Sequence, residues 1–181
     1  MIEIKGYEIP NTLEELTVEQ FDKLNDLNNS SQDTIDKWIA KFVYLGVPEE
    51  VFDEMTLDEF KENVRIFNEG DTEPKERELR VEVDGFVYIA KEVISAKDLS
   101  LIEKAWKVSR AEFSADCLSI LFKREDLSRT EHYAPSHIKH KKALFKKLPS
   151  RVGIPHVLEV SKLLIRSIEN ITEENATADV E

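Results

Sequence analysis

Three of the four histidines lie close together in the sequence and are the first candidates for metal chemistry. His132, His137 and His140 fall within one short segment, and the last two are three positions apart, which places both on one face of a helix. A cation held there would be repelled by the three lysines of the same turn. We therefore expect no metal site and interpret the histidines as part of a solvated face or a pH-sensitive contact.

Cys117 is the candidate nucleophile. It lies in the apolar stretch Phe113 to Leu118, where a small buried cysteine is the common case. A single cysteine excludes an intramolecular disulfide and fits a reducing cytosol. The chain also lacks a Walker phosphate loop, a dinucleotide-binding fingerprint, a Cys-x-x-Cys pair and a nucleophile elbow. We expect a protein without enzymatic activity and without a cofactor.

The strongest local charge feature is the segment Lys139 to Lys147, in a chain whose net charge is −12. Residues 123–151 hold nine basic and three acidic residues, although the chain as a whole is acidic. Such a helix could bind an acidic protein surface or, in the alternative interpretation, nucleic-acid phosphates. The simplest interpretation is a solvated helix face opposite an apolar stripe. The lysines that we predict to contact a partner are Lys139, Lys141, Lys142, Lys146 and Lys147.

Repeated helix-start phrases define the elements that must position these residues. Thr17 and Thr56 each precede a Gln or Glu by three positions, and a looser third copy places Ser100 before Glu103. This spacing is typical of a capping box, in which side chains satisfy the free N–H groups of a first helical turn. We therefore predict helices that begin after each of these hydroxyl residues.

Alternating apolar and polar residues predict two β-hairpins. The first spans residues 2–9 and turns at Lys5-Gly6, and the second spans residues 79–89 and turns at Asp84-Gly85. Apolar residues at helical spacing predict the remaining elements. The predicted helices cover residues 17–27, 33–45, 48–52, 56–67, 100–108, 113–122, 138–148 and 154–168.

These elements indicate an α+β fold that is predominantly helical, with two short hairpins that are each followed by helices. Trp38 and Trp106 fall on apolar helical stripes, so we expect both to anchor the core. The polar segment 68–78 predicts a linker. The expected organisation is an N-terminal half at 1–67, the linker at 68–78, a second half at 79–169 and a disordered acidic tail at 170–181.

Taken in order, four phrases resemble those of a family of small tailed-phage proteins, the tail or baseplate assembly proteins and chaperones. None of the phrases is a catalytic motif, and together they span most of residues 7–168. They are Ile9-Pro10 followed by residues 15–21, residues 33–38 leading to 44–48, the central hairpin followed by residues 94–100, and residues 117–122 followed by 143–149.

The resemblance implies a virus-encoded, non-enzymatic protein that acts through protein contacts during tail building. The implied partner is a phage tail, baseplate or tape-measure protein. The implied location is the host cell cytoplasm, with retention in the virion tail as the alternative. No apolar run approaches the roughly 20 residues that span a bilayer, and the acidic charge argues against general affinity for nucleic acid or membranes. The oligomeric state is left open.

Overall fold

The computed structural model describes residues 1–70, 77–108, 110–127 and 129–178. Within these ranges the fold is α+β and predominantly helical, which confirms the predicted class. The strands are β1 (Ile2–Ile4), β2 (Tyr7–Ile9), β3 (Arg80–Val83), β4 (Phe86–Ala90) and β5 (Phe122–Arg124). The helices are α1 (Val18–Asn28), α2 (Thr34–Tyr44), α3 (Leu57–Asn68), α4 (Ala96–Val108), α5 (Phe113–Leu121), α6 (Arg129–His132), α7 (Pro135–Phe145) and α8 (Ser150–Ala178), with 3-10 turns at Glu49–Phe52 and Arg110–Glu112.

Both predicted hairpins are present, and their turns explain the residues found there. Strand β1 pairs with β2 and strand β3 with β4, in each case antiparallel. The turn residue Asp84 has φ 54° and Gly85 has φ 74°, a left-handed pair that an Asp-Gly turn accommodates. Strand β5 then pairs with β4, placing Phe122 opposite Ala90. This third strand was not predicted, because three residues that directly follow a helix show no periodicity.

The first two predicted capping boxes are confirmed. The Thr17 backbone N–H donates to Gln20 Oε1 at 2.9 Å, and the Gln20 N–H donates back to Thr17 Oγ1 at 3.2 Å. The same reciprocal bonds join Thr56 and Glu59, at 2.8 and 3.3 Å. These bonds set the starts of α1 and α3.

The predicted helix start at Ser100 is wrong. Helix α4 begins at Ala96, so Ser100 lies inside it and is exposed. The reciprocal bonds are instead made by Ser95 and Asp98: the Ser95 N–H donates to Asp98 Oδ2 at 3.0 Å, and the Asp98 N–H donates to Ser95 Oγ at 3.2 Å. Two capping phrases overlap in this segment, and the earlier one forms because Asp98 also accepts hydrogen bonds from Lys91 and Tyr133.

Two clusters of buried apolar side chains make up the core. The smaller, the Phe42 cluster, consists of Ile4, Ile9, Phe42, Val47 and Phe60, from the first hairpin, α2, the loop after α2, and α3. The larger, the Leu118 cluster, is built around α5 and draws on β3, β4, α4, α7 and α8. Val18 of α1 also belongs to the Leu118 cluster. The Leu118 cluster therefore contains residues from both sides of the predicted linker at 68–78; residues 71–76 of that segment lie outside the described residues.

Helix α1 is joined to the C-terminal part of the chain by backbone hydrogen bonds. The Val18 N–H donates to the Leu148 carbonyl at 2.9 Å, and the Ser150 N–H donates to the Leu16 carbonyl at 2.8 Å. Thr17 and Pro149 form an isolated antiparallel bridge between them. The starts of α1 and α8 are thus fixed against each other, a contact we call the α1–α8 joint.

Helix α8 is longer at both ends than predicted. It begins at Ser150 and continues to Ala178, so residues 170–178 are helical where we expected the disordered tail to start. Residues 156–178 contain no Gly or Pro, the two residues that disfavour a helix interior most strongly. Residues 179–181 lie outside the described residues. Within the described part of the chain, no helix is both long enough and apolar enough to cross a bilayer.

Candidate partner-binding surface

The five lysines predicted to contact a partner fall into three different environments. Lys139 and Lys147 are exposed. Lys142 and Lys146 are partly buried in ion pairs within the chain. Lys141 is completely buried. A partner that approached this face would therefore meet Lys139 and Lys147, and Lys141 would be out of its reach.

The ion pairs of Lys142 and Lys146 hold α7 against neighbouring helices. Lys142 Nζ lies 2.7 Å from Glu112 Oε2 and 2.9 Å from Asp116 Oδ1. Lys146 Nζ contacts the other oxygen of Glu112 and lies 3.4 Å from Glu19 Oε1 on α1. The hydrogen bonds from the two lysines lower the pKa of Glu112 to about 2. Lys142 therefore joins α7 to α5, and Lys146, directly after α7, joins the end of that helix to Glu112 and to α1.

Lys141 is part of a buried polar chain. Its Nζ donates to the Phe122 carbonyl at 2.9 Å and to His132 Nδ1 at 3.0 Å, and His132 Nε2 is 3.3 Å from the Ile120 carbonyl. This geometry fits a neutral His132 with its proton on Nε2. Burial is the main cause that lowers the pKa of Lys141 to about 7 and that of His132 to about 3. Both side chains fasten α6 and α7 to the end of α5.

The other sequence candidates for chemistry are placed apart. His156 Nε2 lies 3.0 Å from the Glu78 carbonyl, away from the other histidines in sequence. Within the described residues, no group of three or more His, Cys, Asp or Glu side chains is arranged to hold a metal ion. Cys117 is buried as predicted, and this burial, with Asp22 and Asp116 nearby, raises the pKa of its thiol.

A polar cavity of about 390 Å³ lies beside the start of α4, and sequence reasoning missed it. The Asp98 carboxylate, 1% exposed, accepts hydrogen bonds from Lys91 Nζ at 2.5 Å, Tyr133 Oη at 2.7 Å and Ser95 Oγ at 2.7 Å. Burial alone would raise the pKa of Asp98, but these bonds outweigh it and lower the pKa to about 2. An ionised carboxylate with this many donors is a weak proton acceptor, so the cluster favours structural anchoring over acid–base chemistry.

An apolar groove lies where α4, α5 and α8 meet, and we call it the Trp106 groove. Trp106 was predicted to be a core anchor, but it is 45% exposed and its ring packs edge-on against Phe113 at 4.8 Å between centroids. The prediction was wrong because an apolar stripe shows which side chains share a helix face but not whether another element covers them. The groove encloses about 170 Å³ and is lined by Glu103, Trp106, Phe113, Ser161, Leu164 and Ile165.

Two large apolar side chains that line the Trp106 groove are exposed. Trp106 is 45% exposed and Ile165 is 56% exposed. A tryptophan and branched aliphatic side chains around a concave surface are typical of a protein-binding site.

Comparison with known proteins gave no match. The chain matches no protein-family model, and neither the curated proteins nor the solved structures contain a significant relative.

Proposed function

We propose that this chain is a phage-encoded, non-enzymatic protein that binds a tail, baseplate or tape-measure protein during tail assembly. It acts either as a transient chaperone or as a minor structural protein of the virion. The four phrases that resemble tail and baseplate assembly proteins support the viral part of this proposal. The surface of the described residues supports the part concerning protein binding.

The observation that carries the proposal is the Trp106 groove. Aromatic side chains that are only half-covered contribute strongly to protein interfaces, because their burial by a partner removes a large apolar area from water. Trp106 is 45% exposed, while the Phe113 ring against which it packs is 5% exposed. The groove therefore offers an apolar site that is already formed in the free chain, which lowers the cost of binding.

The first test is affinity capture of the tagged full-length chain from cells that are producing the phage. We expect mass spectrometry to identify a tail, baseplate or tape-measure protein encoded by the same genome. Trp106→Ala should reduce its recovery at least tenfold, and Leu79→Ser, at a residue that is 57% exposed outside the groove, should leave it unchanged. Capture of no tail-assembly protein by the folded wild-type chain would overturn the proposal.

Purified virions distinguish the two forms of the proposal. A transient chaperone should be missing from intact particles, whereas a structural protein should be present at a fixed number of copies. Quantitative mass spectrometry of the particles measures this number.

No specific observation favours the nucleic-acid alternative. Of the five lysines on which it was based, three are engaged within the fold and only Lys139 and Lys147 are exposed. Two exposed cations in an acidic chain supply little of the phosphate neutralisation on which such binding depends.

A further inference from the structure

Helix α2 has two apolar faces, and only one of them is covered. On its inner face Phe42 is completely buried in the Phe42 cluster, and the partly buried Trp38 packs against that cluster. On the other side Ile35 is 52% exposed, Val43 is 37% exposed and Tyr44 is 38% exposed. A surface helix of a globular protein normally presents polar residues on its outer side. This second apolar stripe therefore indicates a surface that a partner covers.

Val43 and Tyr44 of this stripe also line an open groove, which we call the α2 groove. It encloses about 480 Å³ between α2 and the 3-10 turn at Glu49–Phe52. Its apolar floor consists of Ile39, Ala40, Val43 and Tyr44, and its rim carries Asp36 and Glu49. The apolar positions follow the spacing of one helix face, which suits a second helix laid along α2.

The rim of the α2 groove is negatively charged. Within the described part of the chain neither Asp36 nor Glu49 forms an ion pair. Residues 29–70, which contain the groove, hold ten acidic and four basic residues. Any partner that covers this groove must therefore bring positive charge or leave the carboxylates uncompensated.

Most of the basic side chains in this region are engaged elsewhere. Lys41 is 5% exposed and its Nζ lies 3.5 Å from the centre of the Trp38 ring, on the covered side of α2. Arg65 pairs with Glu62 at 2.6 Å on α3. Lys37 Nζ donates to the Asn28 carbonyl at 3.3 Å.

The negative charge of the rim also determines which kind of segment can occupy the α2 groove. Residues 170–181 of the chain contain four acidic and no basic residues, so this segment would be repelled by the rim. Two copies that met groove to groove would likewise bring acidic rims together. The complementary occupant is a helix with apolar side chains on one face and lysine or arginine beside them.

We propose that the α2 groove binds a basic amphipathic helix of a partner protein. This inference rests on the proposed function and names the chemistry of a partner at a second surface. The 11 residues of α2 extend about 16 Å, so the bound segment has about three turns. Its apolar anchors lie three or four residues apart, and its basic residues face Asp36 and Glu49.

The experiment uses the full-length chain and two designed helical peptides of 16 residues as probes. The peptides share one leucine stripe and differ only in flanking residues, which are lysine in one and glutamate in the other. We expect the lysine peptide to bind at least tenfold more tightly in fluorescence anisotropy, and to weaken as salt increases because salt screens the rim charges. Equal binding of the two peptides would overturn the proposal.

Variants of the chain locate the binding site. Val43→Ser with Tyr44→Ser, at two exposed residues that line the groove, should weaken binding of the lysine peptide at least tenfold, and Leu57→Ser, at an exposed residue of α3, should not change it. Asp36→Lys with Glu49→Lys should reverse the preference toward the glutamate peptide, a gain of binding that unfolding could not produce. Asp58→Lys on α3 is the charge control. If the Asp36→Lys, Glu49→Lys variant still binds the lysine peptide more tightly than the glutamate peptide, the proposal is contradicted.

Two further measurements separate the possible causes of failure. Sedimentation of the free chain reports self-association, and loss of self-association in the Val43→Ser, Tyr44→Ser variant would assign the groove to a second copy and overturn the proposal. Trp106→Ala should retain full peptide binding at the α2 groove. If Trp106→Ala abolishes phage-protein capture while neither peptide binds, the proposed function stands and this inference fails.

Discussion

Asp22 is a buried carboxylate that connects two helices distant in sequence. It is 4% exposed on α1, and its Oδ2 accepts a hydrogen bond from the Ser114 backbone N–H at 2.9 Å, in the first turn of α5. Its negative charge therefore lies at a helix N-terminus, where it is electrostatically favourable. Burial nevertheless dominates and raises the pKa of Asp22 to about 6.

The raised pKa predicts that Asp22 makes stability depend on pH. The folded state holds the Asp22 proton more tightly than the unfolded chain, whose reference pKa is 3.8. The stabilising contribution is therefore complete below about pH 4 and is lost as pH rises through about 6. The difference between the two pKa values corresponds to about 3 kcal/mol in the free energy of unfolding.

Asp22→Asn should flatten this part of the pH profile, because the amide does not titrate. Urea unfolding between pH 4 and 7 measures the free energy of unfolding of wild type and variant. Asp58→Asn, at an exposed position, should follow the wild-type profile. Parallel profiles for wild type and Asp22→Asn would show that Asp22 does not cause the slope.

At the scale of elements, two overlapping capping signals, at Ser95 and Ser100, compete to start α4. Ser95→Ala removes the side chain that accepts from the Asp98 N–H and donates to its carboxylate. We expect a loss of about 1 kcal/mol in the free energy of unfolding. Ser100→Ala is the matched control: Ser100 is exposed inside α4, so the change should be neutral or slightly stabilising. If urea denaturation showed a larger loss in the free energy of unfolding for Ser100→Ala than for Ser95→Ala, Ser100 would be the cap.

Local patterns predicted the elements well and their environments poorly. The hairpins and the caps at Thr17 and Thr56 depend on neighbours within a few residues, so the sequence contains the whole signal. The burial of Lys141 and the exposure of Trp106 depend on which distant elements cover a helix. Lys141 lies in a run of lysines, and nothing local marks it as the one that reaches the Phe122 carbonyl. The Asp98 cavity was missed for the same reason, since Tyr133 joins it across the fold.

For the whole molecule, Gly153 marks the closest packing of α8 on α1 and α5. A Cβ atom at this position would lie 2.6 Å from Leu118 Cδ1 and 2.9 Å from Val18 Cγ2, and both neighbours are completely buried. The sequence marks Gly153 only as a glycine before a helical stripe, so its role became visible with the packing of three helices.

Gly153→Val should therefore destabilise the whole fold. The added side chain overpacks the Leu118 cluster, which typically costs about 1–3 kcal/mol. Thermal and urea unfolding should both show the loss. Lys162→Val places the same side chain on an exposed position of α8 and should change the free energy of unfolding by about 0.5 kcal/mol or less. Equal effects of the two substitutions would contradict the close packing.

The α1–α8 joint has a consequence for the synthesis of the chain. The Leu148 carbonyl that accepts from the Val18 N–H is made 130 residues after it. At ribosomal rates of 5–20 residues per second, α1 waits on the order of 10 s for that bond. During this interval Val18 and the apolar residues beside it lack their C-terminal neighbours. The nascent N-terminal part is thus a candidate client for cellular chaperones until the last helix has emerged.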